Sequence, residues 1–227
     1  MPLPARLPGT LVAVAPHIFY LHGFASSARS SKASFLADRL RESGLDLHVP
    51  DFNLPDFPTL TVTRMIGQVG QAFEALPPGP VALVGSSLGG FVAVQAALAY
   101  PDRVTRLVLL APALDFGGNR MRDLGGVSID EWKRRRRLDV FHYGYGRVMP
   151  VHYELYSDAC GYDCVNAVLP IPIQIFQGRR DTAVAPASVQ AWASARPQVE
   201  LHLLDDDHQL AGSLESIWRE MRLFLGI

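Results

Sequence analysis

Apolar residues in this chain fall into short unbroken runs separated by stretches in which they recur three and four positions apart. His17-Ile18-Phe19-Tyr20-Leu21 is the first run, and it ends in His22-Gly23-Phe24. A run without alternation suits a strand covered on both faces. After a loop from Ser26 to Ser31, the positions Ala33, Phe35, Leu36 and Leu40 suit a helix starting near Lys32 and closed by Gly44. Leu45 to Val49 reads as a second strand, broken by Pro50. A Pro- and Asp-rich loop then leads to Thr59, an expected N-cap for a helix running to about Leu76 with Val62, Ile66, Val69 and Phe73 on one face. Pro77-Pro78-Gly79-Pro80 stops that helix.

Val81-Ala82-Leu83-Val84 opens the next strand, which runs through Gly85-Ser86-Ser87-Leu88-Gly89 into a small-residue helix, Phe91 to Tyr100. Another strand follows at Arg106 to Ala111. Beyond Pro112 the pattern fails until Leu169, so one or more lid helices are expected at about 113–169. It resumes with a strand at Pro170–Phe176, a helix at Pro186–Ala195, a strand at Val199–Leu204 and a helix at Leu214–Leu225. Strands alternating with helices predict an α/β fold with a mostly parallel central sheet and helices on both faces. The expected organisation is one domain over residues 1–227, carrying the insertion.

Gly85 and Gly89 flank Ser87 at a strand-to-helix junction, where missing Cβ atoms let both elements pass close and push the serine hydroxyl outward. A serine is a poor nucleophile unless a neutral imidazole takes its proton and a carboxylate orients that imidazole. Asp181 follows one later strand and His208 follows another, so all three stand beyond strand carboxyl ends, where an open α/β sheet puts its site. A tetrahedral oxyanion needs backbone N–H donors, and Leu88 and Phe24 are the expected pair. Asp205, Asp206 and Asp207 read as turn residues. A base role for His208 predicts activity falling as pH drops through the range of an ordinary imidazole, at about 6.5.

Composition narrows the alternatives. The 227 residues are 48% hydrophobic and 19% charged with a net charge of -1, which suits a globular domain and offers no general attraction for nucleic acid or an anionic membrane. Two cysteines, Cys160 and Cys164, make neither a disulfide framework nor a four-ligand zinc site. No metal and no cofactor are expected. The prolines of Met1–Pro8 and Pro16 argue against a signal peptide or membrane span, and the expected location is the cytoplasm.

His22-Gly23-Phe24, Gly85-Ser86-Ser87-Leu88-Gly89-Gly90, Gly178-Arg179-Arg180-Asp181 and the late His208 together resemble the α/β-hydrolase superfamily. Tyr20 to Ser27 with Lys32, and Val84 to Gly90, are similar to small bacterial carboxylesterases and to mitochondrial acyl-glucuronide and acyl-protein thioesterase relatives. The resemblance implies hydrolysis of a small acyl ester or thioester through an acyl-enzyme on Ser87, without a cofactor. Members acting on epoxides or haloalkanes carry Asp at that position. Hydrolysis of thioesters, carbon–carbon bonds or peptides with a free amino end are the alternatives within the fold, and a catalytically idle receptor or scaffold is the alternative outside enzymes.

In the insertion, Lys133 to Arg137 read as a solvated face, because consecutive residues point all round a helix and Asp130, Glu131 and Asp139 flank them. Trp132, Phe141, Tyr143, Tyr145 and Tyr153 either line an acyl pocket or pack the lid down. His22, Trp132, Tyr143 and Tyr145 are the candidate substrate-binding residues.

Overall fold

A computed structural model describes residues 16–118, 120–121 and 123–227. The expectation about a signal peptide concerns Met1–Ala15 and lies outside these residues, as does the start of the expected 1–227 domain. The chain begins β1 (His17–Leu21), α1 (Ser31–Glu42), β2 (Leu47–His48), α2 (Val62–Glu74), β3 (Val81–Ser86), α3 (Leu88–Ala99) and β4 (Val104–Leu110). The insertion holds β5 (Asp123–Leu124), β6 (Val127–Ser128), α4 (Ile129–Arg135), β7 (Arg137–His142), β8 (Arg147–His152) and α5 (Glu154–Ala159). It is followed by β9 (Ile173–Gly178), α6 (Pro186–Ser194), β10 (Val199–Leu204) and α7 (Leu214–Leu225).

Six strands form one sheet in the order β10-β9-β4-β3-β1-β2, with every neighbouring pair parallel. Because successive side chains point to opposite faces, Phe19, Leu83, Leu107 and Ile175 feed one apolar cluster with α2, α3 and α6. Ile18, Val84, Val108 and Phe176 feed another with α1 and α7. Both faces are therefore covered, and β1 and β3 at the centre of the sheet are apolar along most of their length, while β9 and β10 carry Gln174, Gln177, Glu200 and His202. α3 lies in the middle of this packing with every residue from Leu88 to Ala97 buried, which its small side chains permit.

The strand order reverses at β1, which has β2 on one side and β3 on the other, and the ligand crevice of an open α/β sheet lies at such a reversal. Leu21 pairs with Gly85, so the turn after β1 lies against the turn after β3. Leu204 pairs with Gly178, which does the same for the turns after β10 and β9. No helix among the described residues is long and apolar enough to cross a membrane.

Three expectations are corrected. The strand at 45–49 shrinks to the two residues of β2 at the sheet edge. Thr61, not Thr59, caps α2: its side chain accepts the Arg64 N–H at 3.2 Å, while the Thr59 hydroxyl and N–H are taken up by Asp56. The insertion is not simply helical. It contains two antiparallel hairpins, β5–β6 and β7–β8, beside the short helices α4 and α5. Leu138 and His142 point inward from β7 and Asp139 and Phe141 outward, so a period of two overrides any helical reading there.

Candidate active site

Ser87 has φ 53° and ψ -117°, a strained backbone for a residue with a side chain. Such a conformation costs on the order of 1–3 kcal/mol and persists only where the surroundings hold it. Here the Ser87 N–H donates to the Leu110 carbonyl at 2.9 Å, and the Ser87 carbonyl accepts from Gly90 and Ala113. The flanking glycines are steric necessities: a Cβ on Gly85 would lie 2.4 Å from the Gly89 carbonyl oxygen, and one on Gly89 would lie 2.0 Å from that of Leu21.

The His208 ring connects Ser87 to Asp181. Its Nδ1 lies 2.8 Å from Asp181 Oδ2 and its Nε2 lies 3.1 Å from Ser87 Oγ. A carboxylate only accepts, so the ring proton belongs on Nδ1 and Nε2 is left to accept from the serine hydroxyl. Asp181 is itself saturated. Its Oδ1 takes the N–H groups of Ala183 and Val184, each at 2.8 Å, and its Oδ2 takes the Gln177 amide at 2.9 Å as well as the imidazole. Burial alone would raise the Asp181 carboxyl, but the His208 ring, the Val184 N–H and the Gln177 amide outweigh it and hold the group below the usual carboxylate range.

The loop that carries His208 is fixed from two sides. Lys32, buried on α1, donates from Nζ to the Gln209 carbonyl at 2.7 Å. Burial lowers its ammonium pKa, against the attraction of Asp207, Asp206 and Asp181. Asp206 is buried, and its Oδ1 accepts the Asp207 N–H and its Oδ2 the Ser213 hydroxyl, while Asp207 Oδ1 accepts the Gln209 N–H, all at 2.8 Å. Asp205 pairs outward with Arg180. These three acids shape the turn, and the His208 ring goes to Asp181.

The turn after β1 sits directly against the serine. A Cβ on Gly23 would lie 3.2 Å from the Ser86 carbonyl oxygen and 3.3 Å from Ser87 Cβ. Neither the Phe24 nor the Leu88 N–H donates to any of the described residues. Ala25 follows with φ 52°. The turn's carbonyls are anchored in sequence: Gly23 accepts from His22 Nδ1 at 3.0 Å, Ala25 from the Tyr143 N–H at 2.8 Å, and Ser26 from Asn53 Nδ2 at 2.9 Å.

The candidate substrate-binding residues separate. His22 is buried with both ring nitrogens occupied, since Nε2 accepts the Phe52 N–H at 3.0 Å, so it orders backbone and presents nothing to a ligand. Trp132 is 0% exposed, donates to the Val151 carbonyl and packs on Tyr153 and Tyr156, which makes it a core residue of the insertion. Tyr145 stacks on His142 at 4.2 Å, and Tyr143 is 75% exposed beside Phe141. In the basic run, Arg134 and Arg135 pair with Glu131, Arg136 with Glu154 and Arg137 with Asp139, all at the surface. Cys160 and Cys164 are free thiols, and burial pushes that of Cys164 up. Sequence reasoning missed Gln177, Lys32, Asn53 and His142. Only Lys32 carried a signal, as part of the motif shared with small esterases.

The parallel sheet with covered faces and this arrangement of strand-end turns give the chain the α/β-hydrolase fold. It belongs to the uncharacterised protein family UPF0227, whose pattern matches residues 17–225. Among curated relatives it is 25% identical over 183 residues to the mitochondrial palmitoyl-protein thioesterase ABHD10 of Bos taurus, covering 74% of this chain and 58% of that one. It is 52% identical over 64 residues to lipase LipV of Mycobacterium tuberculosis, covering 28% of this chain and 24% of the lipase. These matches therefore span less than two thirds of either relative. Est1E of Butyrivibrio proteoclasticus, solved with ferulic acid, superposes with a TM-score of 0.80 at 20% identity, covering 92% of this chain and 88% of that one. Mouse alpha/beta hydrolase domain-containing protein 10 superposes at 0.71 and 20% identity, covering 96% and 91%.

Proposed function

We propose that this protein hydrolyses carboxylic esters through an acyl-enzyme on Ser87. Ser87 Oγ attacks the carbonyl carbon while His208 Nε2 takes its proton, Asp181 orients the ring and steadies the imidazolium, and the Phe24 and Leu88 amides receive the developing oxyanion. Collapse of the tetrahedral intermediate expels the alcohol, protonated by His208, and water activated by the same ring then releases the acid. No cofactor enters. The 113–169 insertion acts as the lid of a single domain, and water-exposed Tyr143 and Phe141 stand on its outer face.

The reading is carried by one observation, the unbroken hydrogen-bond chain from Asp181 through His208 to Ser87 at 2.8 and 3.1 Å. The ABHD10 relative, named as a thioesterase and matched over 74% of this chain, supports acyl thioesters as the second substrate class. Labelling with a fluorophosphonate tests the central step: the wild-type chain takes the label and Ser87→Ala does not. Labelling that persists in Ser87→Ala, or never occurs in the wild type, overturns it. Turnover of p-nitrophenyl esters against acyl-CoA then separates ester from thioester preference.

A further inference from the structure

We infer that Asn53 and His142 are positioning residues that tie the turn Gly23–Ser26 to the β7–β8 hairpin, so that docking of the hairpin sets the rate at Ser87. The inference rests on the hydrolase reading and adds to it the part of the molecule that holds the Phe24 amide in place.

Ala25, directly after Phe24, has φ 52°, and a non-glycine residue keeps that backbone only where neighbours enforce it. The first half of the turn is held locally, by His22 Nδ1 on the Gly23 carbonyl. Its second half is held from elsewhere. Asn53 Nδ2 donates to the Ser26 carbonyl at 2.9 Å, and the Tyr143 N–H, at the hairpin tip, donates to the Ala25 carbonyl at 2.8 Å.

His142 decides which way Asn53 points. Its Nδ1 accepts the Tyr145 N–H at 3.2 Å, so the ring proton sits on Nε2 and donates to Asn53 Oδ1 at 3.1 Å. With its oxygen occupied, the amide must turn its NH₂ to Ser26. Asn53 is 2% exposed and His142 0%, and Phe57 and Tyr145 pack on the imidazole at 4.6 and 4.2 Å. Gly144 brings the tip onto the turn itself: a Cβ there would lie 2.7 Å from Ser27 Cβ. None of these groups touches substrate in the proposed reaction.

The test uses the full chain with p-nitrophenyl acetate, comparing Asn53→Ala, His142→Phe, His142→Gln and Gly144→Ala. A misplacement of about 1 Å from a remote change costs on the order of 10²-fold in rate. Asn53→Ala, His142→Phe and Gly144→Ala should therefore lose about 10- to 100-fold in kcat with KM moving less than about threefold. His142→Gln, which keeps an amide donor near the Nε2 position, should recover most of the loss. Hydrogen exchange supplies a readout independent of turnover: peptides containing residues 24–27 should exchange faster in the three disruptive variants, with β3 and α3 unchanged. A wild-type kcat in His142→Phe, no recovery in His142→Gln, or unaltered exchange at 24–27 overturns the tie. If the wild-type chain turns over no ester yet exchange at 24–27 rises in the variants, the tie stands and the hydrolase reading falls. Should Asn53→Ala fail to fold, the two His142 variants and Gly144→Ala decide the matter.

Discussion

Gln177 Nε2 lies 2.9 Å from Asp181 Oδ2, the same oxygen that His208 Nδ1 meets at 2.8 Å. The amide's own oxygen, Oε1, is buried and has no partner among the described residues. A buried acceptor left unpaired costs about 1–3 kcal/mol, which is the size of what a hydrogen bond to a charged group contributes, about 1.5–3 kcal/mol. The two effects offset one another in the folded state.

Gln177→Leu removes both at once, so the expected outcome is stability within about 1 kcal/mol of wild type together with a kcat/KM reduced about 10-fold, because the carboxylate that aims His208 loses one of its restraints. Thermal melts and steady-state ester kinetics check the split. A variant that melts far below wild type yet keeps full activity would assign Gln177 to packing alone.

Lys32 holds the Gln209 carbonyl one residue beyond His208, and Lys32→Met leaves that carbonyl without its donor. The expected result is a loss of about 10-fold in kcat from displacement of the imidazole, with a lowered melting temperature, since an orphaned buried acceptor costs about 1–3 kcal/mol. Removing the cation also lets the nearby carboxylates of Asp181 and Asp206 hold their protons to higher pH. The acid edge of stability should move upward, as read by melts between pH 3 and 6.

Asp181 and Asp206 both lie below the usual carboxylate range. For Asp206, burial is the largest influence and acts to raise the group, but the Ser213 hydroxyl and the N–H groups of Asp207 and Gly212 outweigh it. A carboxyl whose folded pKa is depressed contributes stability that is fully present above its unfolded value, about 3.9, and is lost as pH falls through the lower folded value. In that window the unfolded chain binds more protons, so stability rises with pH. Denaturant titrations of Asp206→Asn below about pH 4 should therefore show a shallower pH dependence than wild type, the two curves running parallel above about pH 5. Identical slopes throughout would sink the assignment.

Gly89→Ala drives a methyl group to within 2.0 Å of the Leu21 carbonyl oxygen, which is backbone at the end of β1 and cannot swing aside. Overpacking of this kind costs about 1–3 kcal/mol, occasionally more. With about 2–4 °C per kcal/mol for a chain of this size, the melting temperature should fall by roughly 2–12 °C. Because the strained Ser87 backbone depends on the same approach of strand and helix, fluorophosphonate labelling should slow as well. Gly67→Ala, on α2 with open space at its Cβ position, is the matched control.

Much of this arrangement is legible in the sequence. β1, β10 and α7 have the limits read from the apolar pattern, because each is a run bounded by turn residues. The order of Ser87, Asp181 and His208, each just past a strand, followed from chain position, since a strand's end is local information. The choice between Thr59 and Thr61 as cap was not, because it turns on Asp56 capturing Thr59. In the insertion, alternation at Leu138, Val140 and His142 was present but obscured by the preceding Lys133–Arg137 run and by aromatic residues on the exposed side. Lys32 and Gln209 are 177 positions apart, and Asn53 and His142 are 89. A pairing over that distance is decided by how the elements pack, and neither residue carries a mark of its partner.

The attachment of the β7–β8 hairpin to the turn at Ala25 and Ser26 has a thermodynamic counterpart. Two sites whose order depends on one another are linked, and linkage is reciprocal: whatever the hairpin contributes to the fit of an oxyanion, a bound oxyanion returns to the hairpin. A tetrahedral phosphonate on Ser87 should accordingly protect residues 137–152 from protease and from amide exchange. The outer lobe of the molecule would then report, by its own rigidity, whether the serine is occupied.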